Sequence, residues 1–463
     1  MTRLSLIVVG LMAVTYPVAA QTVAITNGTV VIGDGSEPIT GGTVVVRNGR
    51  VVAAGPSVAV PAGAEIVDAN GKWVTPGIVA GFSRLGLSEV DLGADGSDDT
   101  DTDGSPFSAA IDVTPGINPK ASTIAVSRAD GVTRAVVAPV AGRSIFGGQG
   151  AVIDTGDDMD AILRARAFQF VELGEAGAGK AGGSRTSAFV LFRNALREAR
   201  DLGGLRQQPI SGRQEIDPQV ADVPYEERPD PNLLSRDAPR SEDVLLTRFD
   251  AAALVPVVRG RQLLLVHVER AIDILNVLEL RREFPGLKIA LVGVTEGWTV
   301  ADKIAASGVW VIASALNDLP ASFEMLAATQ SNIGRMRAAG VKVAIGMIDD
   351  NDTRYVRNQR QYAGNLVALG KVPGASGVSW GEAFAMISSR PAEAVGLGGE
   401  IGSLGSGRRG DVVIWSGDPL ELASAAERVW IDGVEQPLDT RQTKLRDRYK
   451  SLDRDTLPEA YRR

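Results

Sequence analysis

Five apolar runs recur between residues 133 and 348, and stretches of helical periodicity separate them. The runs cover residues 133–140, 262–268, 288–294, 308–314 and 340–348. Near-continuous apolar runs of this length are typical of parallel strands that are buried on both faces. Strands that alternate with helices predict an α/β fold, here a TIM-like (β/α)8 barrel.

Three of the intervening stretches predict helices. Apolar positions in residues 271–284, 323–340 and 380–396 repeat at helical spacing. Gly340 and Gly396 stand where helices commonly end. We therefore expect one helix over each stretch, packed against the barrel strands.

Short alternating segments at both chain ends predict a second, smaller domain. Residues 22–75 alternate β-branched residues with small or polar ones, and Asn48-Gly49 between two such runs indicates a β-hairpin. Residues 410–436 repeat this pattern with Asp-Gly and Ser-Gly turns. The two ends together predict a composite β-sandwich.

These patterns divide the chain into segments. The expected bounds are 21–75 for the N-terminal portion of the sandwich, 76–400 for the barrel with insertions near 91–104 and 203–242, 401–437 for the C-terminal portion of the sandwich and 438–463 for a charged C-terminal helix or tail.

The first twenty residues have the pattern of a secretory signal peptide. Arg3 precedes an apolar run, and small residues lead to an expected cleavage site after Ala20. The run is too short to span a bilayer, and no later segment has eighteen consecutive apolar residues. We expect a secreted, periplasmic protein with no membrane association.

Composition narrows the available chemistry. The net charge of -8 argues against a nucleic-acid partner. The absence of cysteine excludes disulfides, thiolate nucleophiles and cysteine–zinc sites. A single histidine, His267, limits any site to one imidazole.

Six ordered motifs run through the mature chain. They are GKWVTPGIV (71–79), ADGVTRAVVAP (129–139), SIFGGQGAVID (144–154), VHVERAIDI (266–274), TEGWTVADKIAASGVWVI (295–312) and SRPAEAVGLGGEIGSLGSGRRGDVVIWSGDPL (389–420). Together they give the chain a resemblance to the amidohydrolase superfamily, nearest to its periplasmic, imidazolonepropionase-like branch.

The resemblance implies hydrolysis of a carbon–nitrogen bond other than a peptide bond, such as that of a cyclic amide. Zinc or another divalent metal would polarise the carbonyl and activate water. The ligands that the resemblance implies are a His-x-His pair after the first barrel strand, two later histidines and a late-strand aspartate. In this sequence the pair falls on Phe82 and Arg84, one later histidine on His267, and the aspartate on Ile348 or Asp349.

The other later histidine position falls on Gly293 or Val294, which supply no ligating side chain. His267 and Asp349 would then be the two surviving ligands and the two candidate catalytic residues. A catalytic zinc usually has about three protein ligands. We therefore expect no metal cofactor, although an all-carboxylate site for magnesium or calcium stays open.

Arg84 suggests a replacement for the metal. We hypothesise that its guanidinium occupies the vacated cavity and pairs with Asp349 or another inward acid. The alternative is that Arg84 extends to solvent from a loop. In the first case Arg84 and Phe82 would contact a ligand at the barrel mouth.

Three further features suggest roles. Glu296 and Trp298 end a strand, so they either line a ligand pocket or form a packed ring with a solvated acid. Residues 99–104, DTDTDG, match the first half of a calcium loop, but Ala110 stands where a bidentate glutamate is needed. Residues 146–152, FGGQGAV, lack the lysine of a phosphate loop and predict a tight turn at the barrel mouth.

Three functions stay open. We favour a pseudoenzyme that binds a small molecule at the barrel mouth. The second is a rewired hydrolase that uses His267 and Asp349, and it requires acids that converge on His267. The third is a structural subunit of a periplasmic hetero-oligomer, which requires a large apolar patch. Each is compatible with a homo- or hetero-oligomer.

Overall fold

A computed structural model describes residues 22–89, 98–204, 245–315, 317–348 and 356–450. Most of the two expected insertions and all of the expected signal peptide lie outside the described residues. Within them the chain forms two eight-stranded sheets, one in a barrel and one in a smaller domain.

The smaller domain begins the described chain. Its first five strands are β1 (Thr22–Val30), β2 (Ile39–Arg47), β3 (Arg50–Gly55), β4 (Glu65–Asp68) and β5 (Trp73–Pro76). Strand β1 is parallel to β4 over its first half and to β5 at its end, and it is antiparallel to β2. The predicted hairpin joins β2 to β3 through Asn48 and Gly49.

The barrel sheet follows in chain order. Its strands are β6 (Ile78–Ser83), β7 (Val132–Val137), β8 (Phe146–Asp154), β9 (Ile162–Glu172), β10 (Leu263–Val268), β11 (Lys288–Gly293), β12 (Trp310–Ala313) and β13 (Lys342–Ile345). Neighbouring strands are parallel, except that β8 is antiparallel to both β7 and β9. The five apolar runs correspond to β7, β10, β11, β12 and β13.

Backbone hydrogen bonds bring the two edge strands together. The Met347 amide donates to the Phe82 carbonyl at 3.1 Å, next to the ends of β13 and β6. Residues 386–388 lie between the same two strands, because Ile345 N donates to Met386 O and Val79 N donates to Ile387 O, each at 2.9 Å. The predicted barrel is confirmed as a nearly closed sheet.

Residues 146–152 form most of β8, so the expected turn at FGGQGAV is wrong. The glycines serve close packing between strands. A Cβ at Gly150 would overlap the Phe168 ring, and a Cβ at Gly147 would meet Phe170 at 2.9 Å. Glycine in a strand often marks such close approach.

Eleven α-helices lie within the described ranges. They are α1 (Ser122–Ala129), α2 (Gly174–Lys180), α3 (Arg185–Gly204), α4 (Arg248–Val258), α5 (Ala271–Glu283), α6 (Ala301–Ser307), α7 (Asn332–Ala338), α8 (Gln359–Leu369), α9 (Trp380–Ala385), α10 (Ser389–Ala394) and α11 (Arg441–Tyr449). The described helices include none that is both long and apolar enough to cross a membrane.

One of the three predicted helices is confirmed and two are corrected. The first is α5. The second begins only at Asn332, because the backbone at Ala327 instead bonds the side chains of Glu296 and Trp298. The third is divided into α9 and α10, because residues 386–388 bond the barrel edges.

The C-terminal strands complete the smaller domain. They are β14 (Val412–Trp415), β15 (Ala426–Ile431) and β16 (Val434–Glu435), and β14 pairs with β5. The domain's apolar core combines residues from both chain ends, among them Val30, Val74, Val412 and Trp430. The predicted composite sheet domain is therefore confirmed.

A buried arginine joins the barrel to the smaller domain. Arg134 on β7 is fully buried, and its Nε and Nη2 donate to the Asp411 carboxylate at 2.8 Å each. Its Nη2 also lies 3.0 Å from Asp432, and its Nη1 lies 3.3 Å from Asp154. One guanidinium therefore faces three carboxylates.

Three carboxylates face the single Arg134 guanidinium, and this excess of negative charge affects the pKa of Asp154. Burial raises the pKa of Asp154 to about 6, against the lowering effect of Arg134, and the negative charges of Asp158 and Asp411 add to the increase. A raised pKa means that the folded state favours the protonated acid. The corresponding stability is present at low pH and is lost as pH rises through about 6.

We predict that Asp154→Asn removes this pH dependence. The free energy of unfolding of the variant, minus that of the unsubstituted protein, should rise between pH 4 and pH 7.5. The rise should be at most about 3 kcal/mol. Urea unfolding at several pH values measures the difference. Asp160→Asn, at an exposed neighbouring acid, is the control. Equal pH profiles for the two variants would contradict the assignment.

Candidate functional site

Aromatic side chains fill the barrel interior, and charged side chains on the same strand faces lie at its mouth. Phe82, Phe168, Phe170 and Leu265 are buried in one interior cluster. Successive side chains on one face of a strand lie two residues apart. Arg84 therefore follows Phe82, Glu172 follows Phe170, and His267 and Glu269 follow Leu265 toward the C-terminal ends of the strands.

His267 lies between two carboxylates. Its Nδ1 is 2.6 Å from Glu172 Oε1, and its Nε2 is 2.9 Å from Glu269 Oε1. The side chains of His267, Glu172 and Glu269 are 21%, 14% and 3% exposed. Because both nitrogens face carboxylate oxygens, the arrangement suits an imidazolium that donates two hydrogen bonds.

The electrostatics agree with this geometry. Burial lowers the pKa of His267, but the charges and hydrogen bonds of Glu172 and Glu269 raise it, so that it lies well above its ordinary value. The raised pKa favours the protonated, imidazolium form of His267. Metal coordination needs a free lone pair on the imidazole, and an imidazolium has none.

Gly293 provides the space for Glu269. Its φ is +89°, and a Cβ at Gly293 would overlap the Glu269 carboxylate. The other carboxylate oxygen of Glu269 accepts a hydrogen bond from Thr295 N at 2.8 Å. Gly293 is one of the two residues, with Val294, onto which the resemblance places a histidine, and a neighbouring carboxylate occupies the space beside it.

The two positions of the expected His-x-His pair hold a ring and a guanidinium. Phe82 is 1% exposed, and its ring centroid lies 5.5 Å from that of Phe170. Arg84 is 5% exposed and donates from Nη1 to Ala138 O at 2.8 Å. Its guanidinium carbon lies 4.9 Å from the Phe82 centroid and 5.5 Å from the Phe170 centroid. Arg84 thus lies inside the barrel mouth and does not extend to solvent.

Asp349, the acid expected to pair with Arg84, lies outside the described residues. Ile348, the other candidate for the late-aspartate position, is a partly buried apolar residue packed against the interior cluster. The pairing of Arg84 with Asp349 therefore stays a prediction.

The described residues do not fit the metal site that the resemblance implies. Both nitrogens of His267 are directed at carboxylates. Phe82 and Arg84 replace one ligand pair, and neither Gly293 nor Val294 has a ligating side chain. Across the described ranges, no three histidine, cysteine, aspartate or glutamate side chains are arranged to hold a metal ion.

Glu296 and Trp298 have contacts that stabilise the wall of the barrel. Glu296 accepts hydrogen bonds from the amides of Ala271, at the start of α5, and Ala327. Trp298 Nε1 donates to Ala327 O at 2.8 Å, and the guanidinium of Arg335 stacks on its ring at 4.3 Å. The geometry thus supports packing roles for this pair.

The described part of the chain, which includes residues 99–104, brings no three carboxylates together as a calcium loop would. The carboxylates of Asp101 and Asp103 lie beside Gly142, whereas the Cβ of Asp99 lies beside Gly116. The Asp98 carboxylate accepts from the Thr100 amide at 2.9 Å, a local turn contact.

A cleft of about 230 Å³ lies away from His267, at the loop before β7. Arg360 and Asp130 are among its lining residues. Arg360 donates to the carbonyls of Pro419 and Ser424 and stacks on Trp415, so it holds the loop after β14 in place.

Glu172 and Glu269 are the functional residues that the sequence analysis did not identify. Glu269 has a sequence signal, because it lies two residues after His267 and therefore on the same face of the strand. Glu172 closes a strand whose first half carries exposed arginines, so no apolar run marked that strand.

The chain is similar to several known proteins. A family model described as the amidohydrolase family matches residues 306–435. An imidazolonepropionase from Acidiphilium cryptum is 32% identical over 127 residues, which are 27% of this chain and 29% of that protein. An amidohydrolase, tasK, from Hapsidospora irregularis is 37% identical over 60 residues, which are 13% of this chain and 6% of that protein. The matches thus span less than a third of either relative.

A solved structure is similar over a larger share of the chain. The crystal structure of an amidohydrolase from Thermotoga maritima superimposes with a TM-score of 0.72 and 25% sequence identity. The superposition covers 89% of this chain and 99% of that one. The likeness therefore includes both the barrel and the composite sheet domain.

We predict that Glu269→Gln shifts the titration of His267 to lower pH, because one of the two negative charges that stabilise the imidazolium is lost. Loss of a hydrogen bond to a charged group should also lower the free energy of unfolding by about 2 kcal/mol. The ring C–H resonances of the one histidine report the titration. Glu279→Gln, on the exposed face of α5, is the control, and an equal titration in both variants would contradict the prediction.

Proposed function

Because the chain belongs to the amidohydrolase superfamily, we propose that its barrel mouth binds a small molecule without a metal ion. One observation carries this proposal: both ring nitrogens of His267 are directed at carboxylates, at 2.6 and 2.9 Å. A fixed imidazolium supplies positive charge where the superfamily's chemistry would use a metal. Arg84, buried in the same mouth, adds a second cation, and its guanidinium stays charged across the physiological pH range.

Glu172 suggests what the ligand offers. It is the more exposed of the two carboxylates that contact His267, and its side chain lies at the barrel mouth. A carboxylate accepts hydrogen bonds, so a complementary ligand carries an N–H or O–H donor. Small cyclic or linear amides meet this requirement, and they match the carbon–nitrogen chemistry of the superfamily.

A second candidate function is hydrolysis without metal. Two acids converge on His267, which is the feature that a rewired hydrolase requires. The obstacle is that both nitrogens are engaged, so the imidazolium must release a carboxylate before it can transfer a proton. Asp349, proposed as a further catalytic group, would have to supply the base that activates water.

Location and assembly are also proposals. The sequence of residues 1–20 supports export to the periplasm with cleavage after Ala20. A structural role in a hetero-oligomer is the third candidate, and it is compatible with an occupied barrel mouth.

The test is a thermal-shift screen of small amides against protein treated with a chelator. We predict that a hit stabilises the protein equally before and after addition of zinc, and that no amide is hydrolysed. Glu172→Gln should weaken binding of the hit by about tenfold, since a charged acceptor is lost. Glu279→Gln is the matched surface control. Zinc-dependent binding or turnover would contradict metal-free binding.

A further inference from the structure

A long loop crosses from β12 toward the His267 site. This β12 loop comprises residues 317–331, and the structure places no helix or strand within it. Asn317 Nδ2 donates to Thr295 Oγ1 at 2.8 Å and fixes its beginning. Ala327 is bound through its amide by Glu296 and through its carbonyl by Trp298, and these bonds fix its end. The segment between these two points extends to the start of α2, directly after β9.

Glu324 fixes the middle of the β12 loop. Only 7% of this residue is exposed, and its Oε2 accepts from Glu175 N at 2.7 Å and from Arg185 Nη2 at 3.0 Å. Gly174 makes this approach available, because its φ is +71° and a Cβ there would overlap the Glu324 carboxylate. A buried acid with charge-assisted bonds of this kind holds a loop firmly.

This attachment lies directly beside the site. Glu172 contacts His267, Leu173 N donates to His267 O at 3.1 Å, and Glu175 binds Glu324. Arg185 also donates to Asp273 at 3.0 Å, at the start of α5. The bonds of Glu324 therefore connect the β12 loop to the strand ends that carry Glu172 and Glu269.

The β12 loop exposes large apolar side chains on both sides of Glu324. Leu319, Phe323 and Leu326 are 79%, 83% and 64% exposed. These three residues lie within eight positions and expose apolar surface to water. Burial of that surface would be favourable. A ligand in the barrel mouth offers a surface against which they can be buried.

We propose that the β12 loop is a lid over the His267 site, and that the bonds of Glu324 to Glu175 and Arg185 form its latch. In the latched state Leu319, Phe323 and Leu326 are exposed; release of the latch opens the mouth to a ligand and frees these side chains to pack on its apolar part. The proposal rests on ligand binding at this mouth. It implies a ligand with an N–H donor at one end and an apolar body at the other.

Two measurements that need no ligand test the latch. The first is amide hydrogen exchange across residues 317–331. The second is the relaxation of the His267 ring C–H protons by a neutral gadolinium chelate, which reports exposure without sensitivity to charge. His267 is the only histidine in the chain, so its signal needs no assignment.

Glu324→Gln keeps the shape of the side chain and removes its charge. We expect about tenfold faster exchange in the β12 loop and a stronger relaxation effect at His267. Gly174→Ala should do the same by excluding the carboxylate from its place. Glu279→Gln should change neither quantity. Exchange and relaxation equal to those of the unsubstituted protein, in folded samples of both latch variants, would overturn the proposal.

The outcome is separable from that of the proposed function. If the latch variants open the mouth but no amide binds, the lid stands and the proposed ligand is wrong. If an amide binds but both variants leave exchange and relaxation unchanged, ligand binding stands and the lid is wrong.

Discussion

The pairing of one imidazole with two carboxylates is the constraint on which the barrel mouth depends. A partly buried charge is stable only when opposite charge and hydrogen bonds replace the water that it loses. His267 obtains both from Glu172 and Glu269. Glu269 can approach only because Gly293 has no side chain, and it is held in turn by the Thr295 amide. Removal of any one of these groups would leave a charge without its partners.

The same principle holds the two domains together. Arg134 is fully buried, and its acids come from β8, from the residue before β14 and from the residue after β15. The chain ends are thus tied to the barrel by charge as well as by the pairing of β5 with β14. In both places a cation lies among more acids than it neutralises. At Arg134 this excess favours a proton on Asp154, and at His267 it favours the proton on the imidazole itself.

The sequence was a good guide to the fold wherever strands are apolar on both faces. Strands β10, β11, β12 and β13 are of this kind, and their runs are visible without a structure. Strand β8 was missed because its glycines read as a turn, although they serve to bring β9 close. Two helices were predicted too long because the chain there bonds neighbouring elements instead of itself, at Ala327 and at residues 386–388.

The candidate site was only partly predictable, for a related reason. The loss of the metal ligands at Phe82, at Arg84 and at Gly293 or Val294 follows from alignment with the expected ligand positions. The carboxylates that contact His267 could not be predicted in the same way. Glu172 and His267 are 95 residues apart, and only the pairing of β9 with β10 brings them together. Glu324 comes from a third segment, and no local pattern links it to Gly174. Long-range contacts between polar residues leave no periodic signal in the chain.

The protonation of His267 tests the account most directly. Protein labelled with ¹⁵N-histidine gives one imidazole, and its two nitrogen resonances at pH 8 distinguish an imidazolium from either neutral tautomer. We predict that both nitrogens carry protons, and that stoichiometric zinc leaves both resonances unchanged. A neutral ring, or a nitrogen resonance that shifts on addition of zinc, would contradict the metal-free site.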